Sequence, residues 1–251
     1  MDQHHDGDDH RDPGDERRLS EGTAGGAPDA TPRTILVFGA TGQTGRHFIR
    51  HPLRDGHRVR VLVRTPAKLD RDGVDPAALE VVQGSVVNDL DLDALVDGVD
   101  AVVCLLGDRA AQQVRPVNTD FVRRLVPAMR RHGVDRLLYQ AGGLSAPPDR
   151  PLPLALRAVR ATIARSYDGQ HRDNEAVMRY LTDDAMDLSW VVHRAGIGSD
   201  GPSKGVLVRS AGRPSIATFG DCAAYDYRLL TDASAVHTCD PSIYARRAGV
   251  R

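Results

Sequence analysis

Aromatic residues are scarce in this sequence: four Phe, six Tyr and one Trp make up 4% of 251 residues. That scarcity argues against a base-stacking surface, so nucleic acid is not an expected partner. Cysteine is sparse too. Cys104, Cys222 and Cys239 have neither metal-ligand spacing nor an even framework, and read as reduced thiols of a cytosolic protein. Long hydrophobic runs are missing, and none approaches the ~20 apolar residues of a membrane span. The first residues are acidic and polar, unlike a secretory leader. Lysine is nearly absent: Lys68 and Lys204 are the only two among 33 Lys and Arg, a bias we attribute to base composition. The expectation is a soluble, cytoplasmic protein with no membrane partner.

The net charge of −1 hides an asymmetry. Residues 1–33 carry nine acids and four arginines, and the rest carry 25 acids and 29 Lys or Arg. That second excess is too small to imply a polyanionic partner. Residues 1–33 are rich in Asp, Gly, His and Pro and cannot bury enough apolar surface to offset ordering entropy, so a disordered acidic tail is expected. His4, His5 and His10 stand among its aspartates. No rigid scaffold fixes their geometry there, so no metal site is expected.

From residue 34 to 251 one domain is expected. Short apolar runs at Thr34–Gly39, Arg58–Val63, Leu79–Gln83, Ala101–Leu106, Arg136–Gln140 and Leu188–His193 read as strands. Helical periodicity falls at Thr44–Arg54, Asp89–Asp97, Val117–His132 and Arg172–Leu181, with Gly98 and Gly133 as stops. Alternation of this kind builds an α/β fold, a Rossmann-type doubly wound parallel sheet, because parallel neighbours need crossover connections. Beyond Arg194 the pattern loosens. Strands at Gly205–Arg209 and Pro214–Thr218 and a helix at Asp221–Leu230, with Asp221 near its N-cap, suggest a small C-terminal segment on the substrate side.

Gly39-Ala40-Thr41-Gly42-Gln43-Thr44-Gly45 follows the first expected strand and opens the first helix. This is the context a dinucleotide fingerprint requires. Gly39 permits a tight turn, Gly42 lets backbone amides approach a pyrophosphate, and Gly45 lets helix and strand pack closely. Thr41 and Thr44 offer hydroxyls beside the oriented N–H groups of a helix start. An acidic residue at the end of the second strand would select NAD. Here Arg64 follows Val63, with Lys68 one turn beyond. Two cations and no carboxylate favour the 2′-phosphate of NADP(H).

These segments resemble the atypical short-chain dehydrogenase/reductases of the NmrA-like, flavin/biliverdin-reductase-like group. The resemblance spans about residues 34–243. It rests on GATGQTG (39–45), VLVRTPAKL (61–69), GSVVNDLDLDALVDGVDAVVCLLGDR (84–109), HGVDRLLYQ (132–140) and HRDNEAVMRYL (171–181). It implies a Rossmann fold, a nicotinamide cofactor and often NADPH-dependent reduction of a flavin, quinone or other conjugated small molecule. By resemblance, Gly39, Thr41, Gly42, Gln43 and Thr44 form the phosphate loop, and Arg64 with Lys68 the 2′-phosphate site. Ser85 and Val86 match the adenine contact, and Leu106, Gly107 and Arg109 the ribose and nicotinamide side. Three positions depart from the group's pattern: Ser85 replaces an Asp, Ala141-Gly142-Gly143 replaces a Thr/Ser-Ser pair, and Arg194-Ala195 replaces Arg-Pro.

The candidate catalytic residues are Tyr167, His171 and Ser145. Tyr167-x-x-x-His171 stands in for a Tyr-x-x-x-Lys pair, in which a cation would lower the phenol pKa, and i,i+4 spacing would set both on one helix face. Tyr139 and Ser145 flank the expected nicotinamide side. His193 and Arg194 end the sixth strand, with Arg194 expected to be structural. The leading expectation is an NADPH-dependent oxidoreductase on a small conjugated or carbonyl substrate. The alternatives are a redox-sensing NADP(H)-binding regulator and a non-redox isomerase or cyclase, since fold does not fix function.

Overall fold

Strand β1 (Thr34–Phe38) divides its side chains with a period of two. Leu36 and Phe38 join one core cluster, and Ile35 and Val37 join the other. All four are apolar because both faces of a parallel strand are covered. In the computed structural model, which describes residues 31–246, β1 lies within an eight-stranded sheet. Its order is β3 (Leu79–Gln83), β2 (Arg58–Val63), β1, β4 (Ala101–Cys104), β5 (Arg136–Gly142), β6 (Ser189–Ala195), β10 (Cys239–Tyr244) and β8 (Leu207–Arg209). Neighbours pair in parallel except β10 with β8. A separate two-stranded ribbon joins β7 (Ile197–Ser199) to β9 (Ala217–Thr218). This is the expected α/β, Rossmann-type doubly wound sheet. The direction of winding reverses between β1 and β4, and such a reversal opens a crevice beyond the carboxyl ends of those strands.

Helices cover both faces. On one side α3 (Leu92–Val96), α5 (Val117–Arg131) and α7 (Asp168–Asp184) bury Leu95, Phe121 and Met178. On the other, α1 (Gly45–Phe48), α2 (Arg50–Arg54) and α8 (Phe219–Leu229) bury Phe48, Cys222 and Leu229, with Leu53 partly covered. Two more helices, α4 (Arg109–Val114) and α6 (Leu154–Ala161), lie near the carboxyl ends of the strands.

Several boundaries differ from those the sequence suggests. The expected helix over 44–54 is interrupted at Ile49, because Pro52 has no N–H for the Phe48 carbonyl. Asp91 accepts a 2.9 Å bond from the Ala94 N–H and so starts α3 at Leu92 rather than at Asp89. Helix α7 begins at Asp168, four residues before the expected Arg172. Gly169 does not break it. A Cβ there would stand 2.5 Å from the Gln112 carbonyl oxygen, so this glycine lets α7 pack on α4. Thr218 caps α8 by accepting from the Asp221 N–H at 3.1 Å, which puts Asp221 inside the first turn. The acidic-tail expectation falls, apart from residues 31–33, outside the described residues. Among the described residues no helix is long and apolar enough to cross a membrane, and no group of His, Cys, Asp or Glu is arranged to hold a metal.

Candidate functional site

Gly39 turns the chain out of β1 with φ +89°, and a Cβ on it would sit 2.4 Å from the Leu105 carbonyl oxygen at the end of β4. Only glycine fits so close an approach in that conformation. Gly45 is equally restricted, since a Cβ would fall 2.0 Å from the Gly39 oxygen. Gly42 N–H closes the turn onto that same oxygen at 2.9 Å. The loop therefore hugs the switch point between β1 and β4. Beyond it lies a cavity of about 740 Å³ whose walls include Gly39, Thr41, Gly42, Gly84 and Gly107. Gln43, Thr44, Gly45 and Arg109 do not line it. Thr44 and Gly45 are buried under the loop, and Gln43 faces solvent.

The lining of the cavity is cationic. Arg64, Lys68 and Arg115 line it, against the single carboxylate of Asp108. Arg64 is 74% exposed and its Nη1 reaches Asp108 Oδ2 at 3.4 Å, a loose pair that leaves the guanidinium able to change partner. Asp108 is itself occupied, accepting from the Ala111 N–H to cap α4. Arg115 escaped the sequence reading because α4, which delivers it, carries no apolar periodicity; its Val114 is 87% exposed. Ser85 and Val86 form the adjacent wall, and Arg124 of α5 fixes their turn by donating to the Val86 and Asn88 carbonyls. A wall that includes four glycines, three cations and the hydroxyls of Thr41, Thr65 and Ser85 fits a dinucleotide in both shape and charge.

Asn118, which also lines the cavity, begins a hydrogen-bonded chain. Buried Asp173 of α7 caps α5 by accepting from the Asn118 and Thr119 N–H groups, both at 2.9 Å, and so fixes Asn118. Asn118 Nδ2 donates to the Leu106 carbonyl (3.3 Å) and to Tyr139 Oη (2.8 Å). Tyr139 then donates to Asn174 Oδ1 at 2.6 Å, and Asn174 Nδ2 donates to Ser145 Oγ at 3.4 Å. Ser145 Oγ lies 3.2 Å from His171 Nδ1. The structure thus brings Ser145 and His171 together with Tyr139. Asn118, Asn174 and Asp173 are polar residues on helices whose function sequence reasoning missed. Their signal was polarity at positions that helical spacing turns inward.

His171 is buried and its Nε2 has no partner among the described residues. Such an orphan costs about 1–3 kcal/mol and calls for an explanation. Burial, aided by the Arg160 cation, lowers its pKa to about 4, so the imidazole is neutral near pH 7. Gly142 makes room for it: a Cβ at that position would stand 3.2 Å from His171 Cε1. Burial holds the Tyr139 phenol well above its ordinary range, so it passes hydrogen bonds rather than protons.

The remaining candidates lie elsewhere. Tyr167 precedes the first turn of α7 and is 43% exposed, with Arg109 stacked 4.9 Å over its ring. The structure does not bring Tyr167 and His171 into contact as a pair, and it turns Arg109 to this surface stack. Arg194 is structural, as expected: it is buried and donates to the Ser145 carbonyl at 2.8 Å and the Gly143 carbonyl at 3.2 Å. It holds the turn that presents Ser145. His193 faces away from the cleft into a buried contact with Asp226 (2.5 Å) and Ser242 (2.8 Å). The three cysteines are free thiols, as expected.

Known proteins resemble this chain in sequence and in fold. The sequence model of a family described as NAD(P)H-binding matches residues 39–221. A ceramide reductase from Caulobacter vibrioides is 34% identical over 114 residues, covering 43% of this chain and 34% of that protein. The chain spans 31–40% of the length of the first three curated relatives it matches. Among solved structures, ChuY, an anaerobillin reductase from Escherichia coli O157:H7, superposes with TM-score 0.63 at 16% identity, over 86% of this chain and 100% of that one. A short-chain dehydrogenase/reductase from Veillonella parvula in complex with NADP gives TM-score 0.63 at 17% identity, over 84% and 94%. At such identities the likeness is one of fold. The chain belongs to the NAD(P)H-binding family.

Proposed function

We propose that this member of the NAD(P)H-binding family is an NADPH-dependent oxidoreductase that reduces a small conjugated or carbonyl substrate. One observation carries the reading: Asn118 both lines the cationic cleft and opens the chain of hydrogen bonds that ends at His171. The cofactor groove is thereby hydrogen-bonded to the buried polar chain. Bound in the groove, the nicotinamide supplies hydride. The residues proposed to hold it are Gly39, Thr41 and Gly42 at the pyrophosphate, Arg64 and Lys68 at the 2′-phosphate, and Ser85 and Val86 beside adenine. Leu106 and Gly107 flank the reacting end. Thr44 and Gly45 support the loop from below. The names of the ceramide and anaerobillin reductases support reduction as the reaction class.

A second reading, an NADP(H)-sensing regulator, draws on the position of Tyr167: among the described residues no tyrosine lines the cleft. Both readings meet the same test, in which the purified full chain is mixed with NADPH and absorbance is followed with FMN, menadione and benzaldehyde in turn. Oxidation of NADPH supports the reductase. Saturable NADPH binding with no oxidation in any mixture supports the regulator.

A further inference from the structure

The hydrogen bonds between the cleft and His171 admit one consistent assignment of donors and acceptors. The Leu106 carbonyl can only accept, so the group of Asn118 facing it is the amide N–H₂, which also donates to Tyr139 Oη. Tyr139 gives its own proton to Asn174 Oδ1, with Asn174 Nδ2 turned toward Ser145 Oγ. Ser145 Oγ then has its own proton free to donate to His171 Nδ1, 3.2 Å away. A neutral imidazole accepting at Nδ1 carries its proton on Nε2, the atom left without a partner.

We propose that His171 presents Nε2–H as a neutral hydrogen-bond donor to the carbonyl oxygen of the substrate, whose hydride acceptor is the carbonyl carbon or a carbon conjugated to it. The assignment rests on the reductase reading above. Hydride supplied by NADPH adds to that carbon, and the C=O π pair moves onto oxygen. The Nε2–H bond stabilises the oxygen as its charge grows. A proton from water completes the alcohol or hydroquinone, and NADP⁺ is the oxidised product. His171 donates a bond throughout and loses no proton.

Access to this donor runs past α6. Asp168 and Glu175 flank His171 one turn below and one turn above on the same helical face. Arg160 of α6 spans them, bonding to Asp168 at 2.8 Å and to Glu175, and it also reaches the Leu144 carbonyl. Its guanidinium therefore lies beside the His171 turn, close enough to the imidazole to disfavour its protonated form. No residue of α6 is buried, and Leu154 at its start and Ile163 two residues past its end are 79% and 85% exposed. A helix held to the body by arginine and showing apolar side chains at both ends can lift to admit a substrate and pack against it.

Two measurements test the proposal on the full chain with NADP⁺ or NADPH. In ¹⁵N–¹H correlation spectra of the histidine rings near pH 7, His171 is expected as the Nε2–H tautomer. An Nδ1–H tautomer or an imidazolium overturns the assignment without touching the reductase reading. In kinetics with menadione and benzaldehyde, His171→Leu is expected to lower kcat/KM about 100-fold. His171→Gln, which retains an N–H but cannot transfer a proton, should stay within about tenfold of the parent. Equal loss in both variants would make His171 a proton donor and overturn the proposal, as would no loss in either. Turnover with FMN alone overturns the carbonyl assignment. No turnover with any acceptor fails the reductase reading itself, and the carbonyl assignment with it.

Discussion

Ser145 Oγ stands 3.2 Å from His171 Nδ1, and the Arg194 guanidinium holds the Ser145 carbonyl from behind at 2.8 Å. The hydroxyl that orients the imidazole is thus fixed by a buried arginine one strand away. This places the family's departures in context. Gly142 stands where a hydroxyl side chain is usual, and its missing Cβ is what admits the His171 ring.

The depressed pKa of His171 gives a pH dependence of defined sign. Unfolded, the imidazole takes its proton near pH 6.5; folded, it does so only at about 4. Its contribution to stability is therefore complete above about pH 6.5 and is lost as pH falls toward and through about 4. Urea midpoints measured across that window should fall with pH in the parent. The slope should flatten in His171→Gln, and an unchanged slope would refute the assignment.

Arg160 is the cation that helps hold that pKa down. Arg160→Ala leaves Asp168 and Glu175 facing the ring and reduces its burial, so the His171 pKa should move up from about 4 toward its ordinary value. An NMR pH titration reads this directly. No movement would mean that Arg160 does not cover the ring.

Gly45→Ala places a methyl 2.0 Å from the Gly39 oxygen. Overpacking should cost roughly 3 kcal/mol and abolish cofactor binding, because the loop must move. Gly56 also has positive φ, +81°, but open space around it, so Gly56→Ala should cost about 1 kcal/mol and leave binding intact. Thermal melts with and without NADPH separate the two.

The Asp226–His193 contact lies outside the site and serves the fold. Both side chains are fully buried, and Gln140 and Ser242 complete their hydrogen bonds. Asp226→Ala removes one partner and should destabilise the protein by about 3–5 kcal/mol, with NADPH affinity of the folded fraction unchanged. A loss below about 1 kcal/mol by denaturant titration would refute a structural role.

Much of this was legible in the sequence, for physical reasons that differ by residue. β1 and the glycine loop read clearly because a strand buried on both faces must be apolar and the turn after it admits only glycine. Arg64 and Lys68 were visible because they stand at a fixed distance behind that loop. β10 was hidden by Pro241, which weakens any strand signal, yet Pro241 pairs in parallel register with Arg194. Helix α6 was missed because it is short and, though amphipathic, buries none of its residues in the core. The Asn118–Tyr139–Asn174–Ser145 chain could not be read, because its members lie 21 to 35 residues from their partners and meet only when α5, β5 and α7 pack.

Cofactor choice at Arg64 and Lys68 is the most direct test. Calorimetric titration of the full chain with NADPH and NADH should show NADPH binding at least about tenfold tighter, from charge-assisted bonds to the 2′-phosphate. Arg64→Asp should erase that preference while leaving NADH affinity nearly unchanged. Equal affinities in the parent, or equal losses for both nucleotides in the variant, would contradict the placement of the 2′-phosphate and the reading built on it.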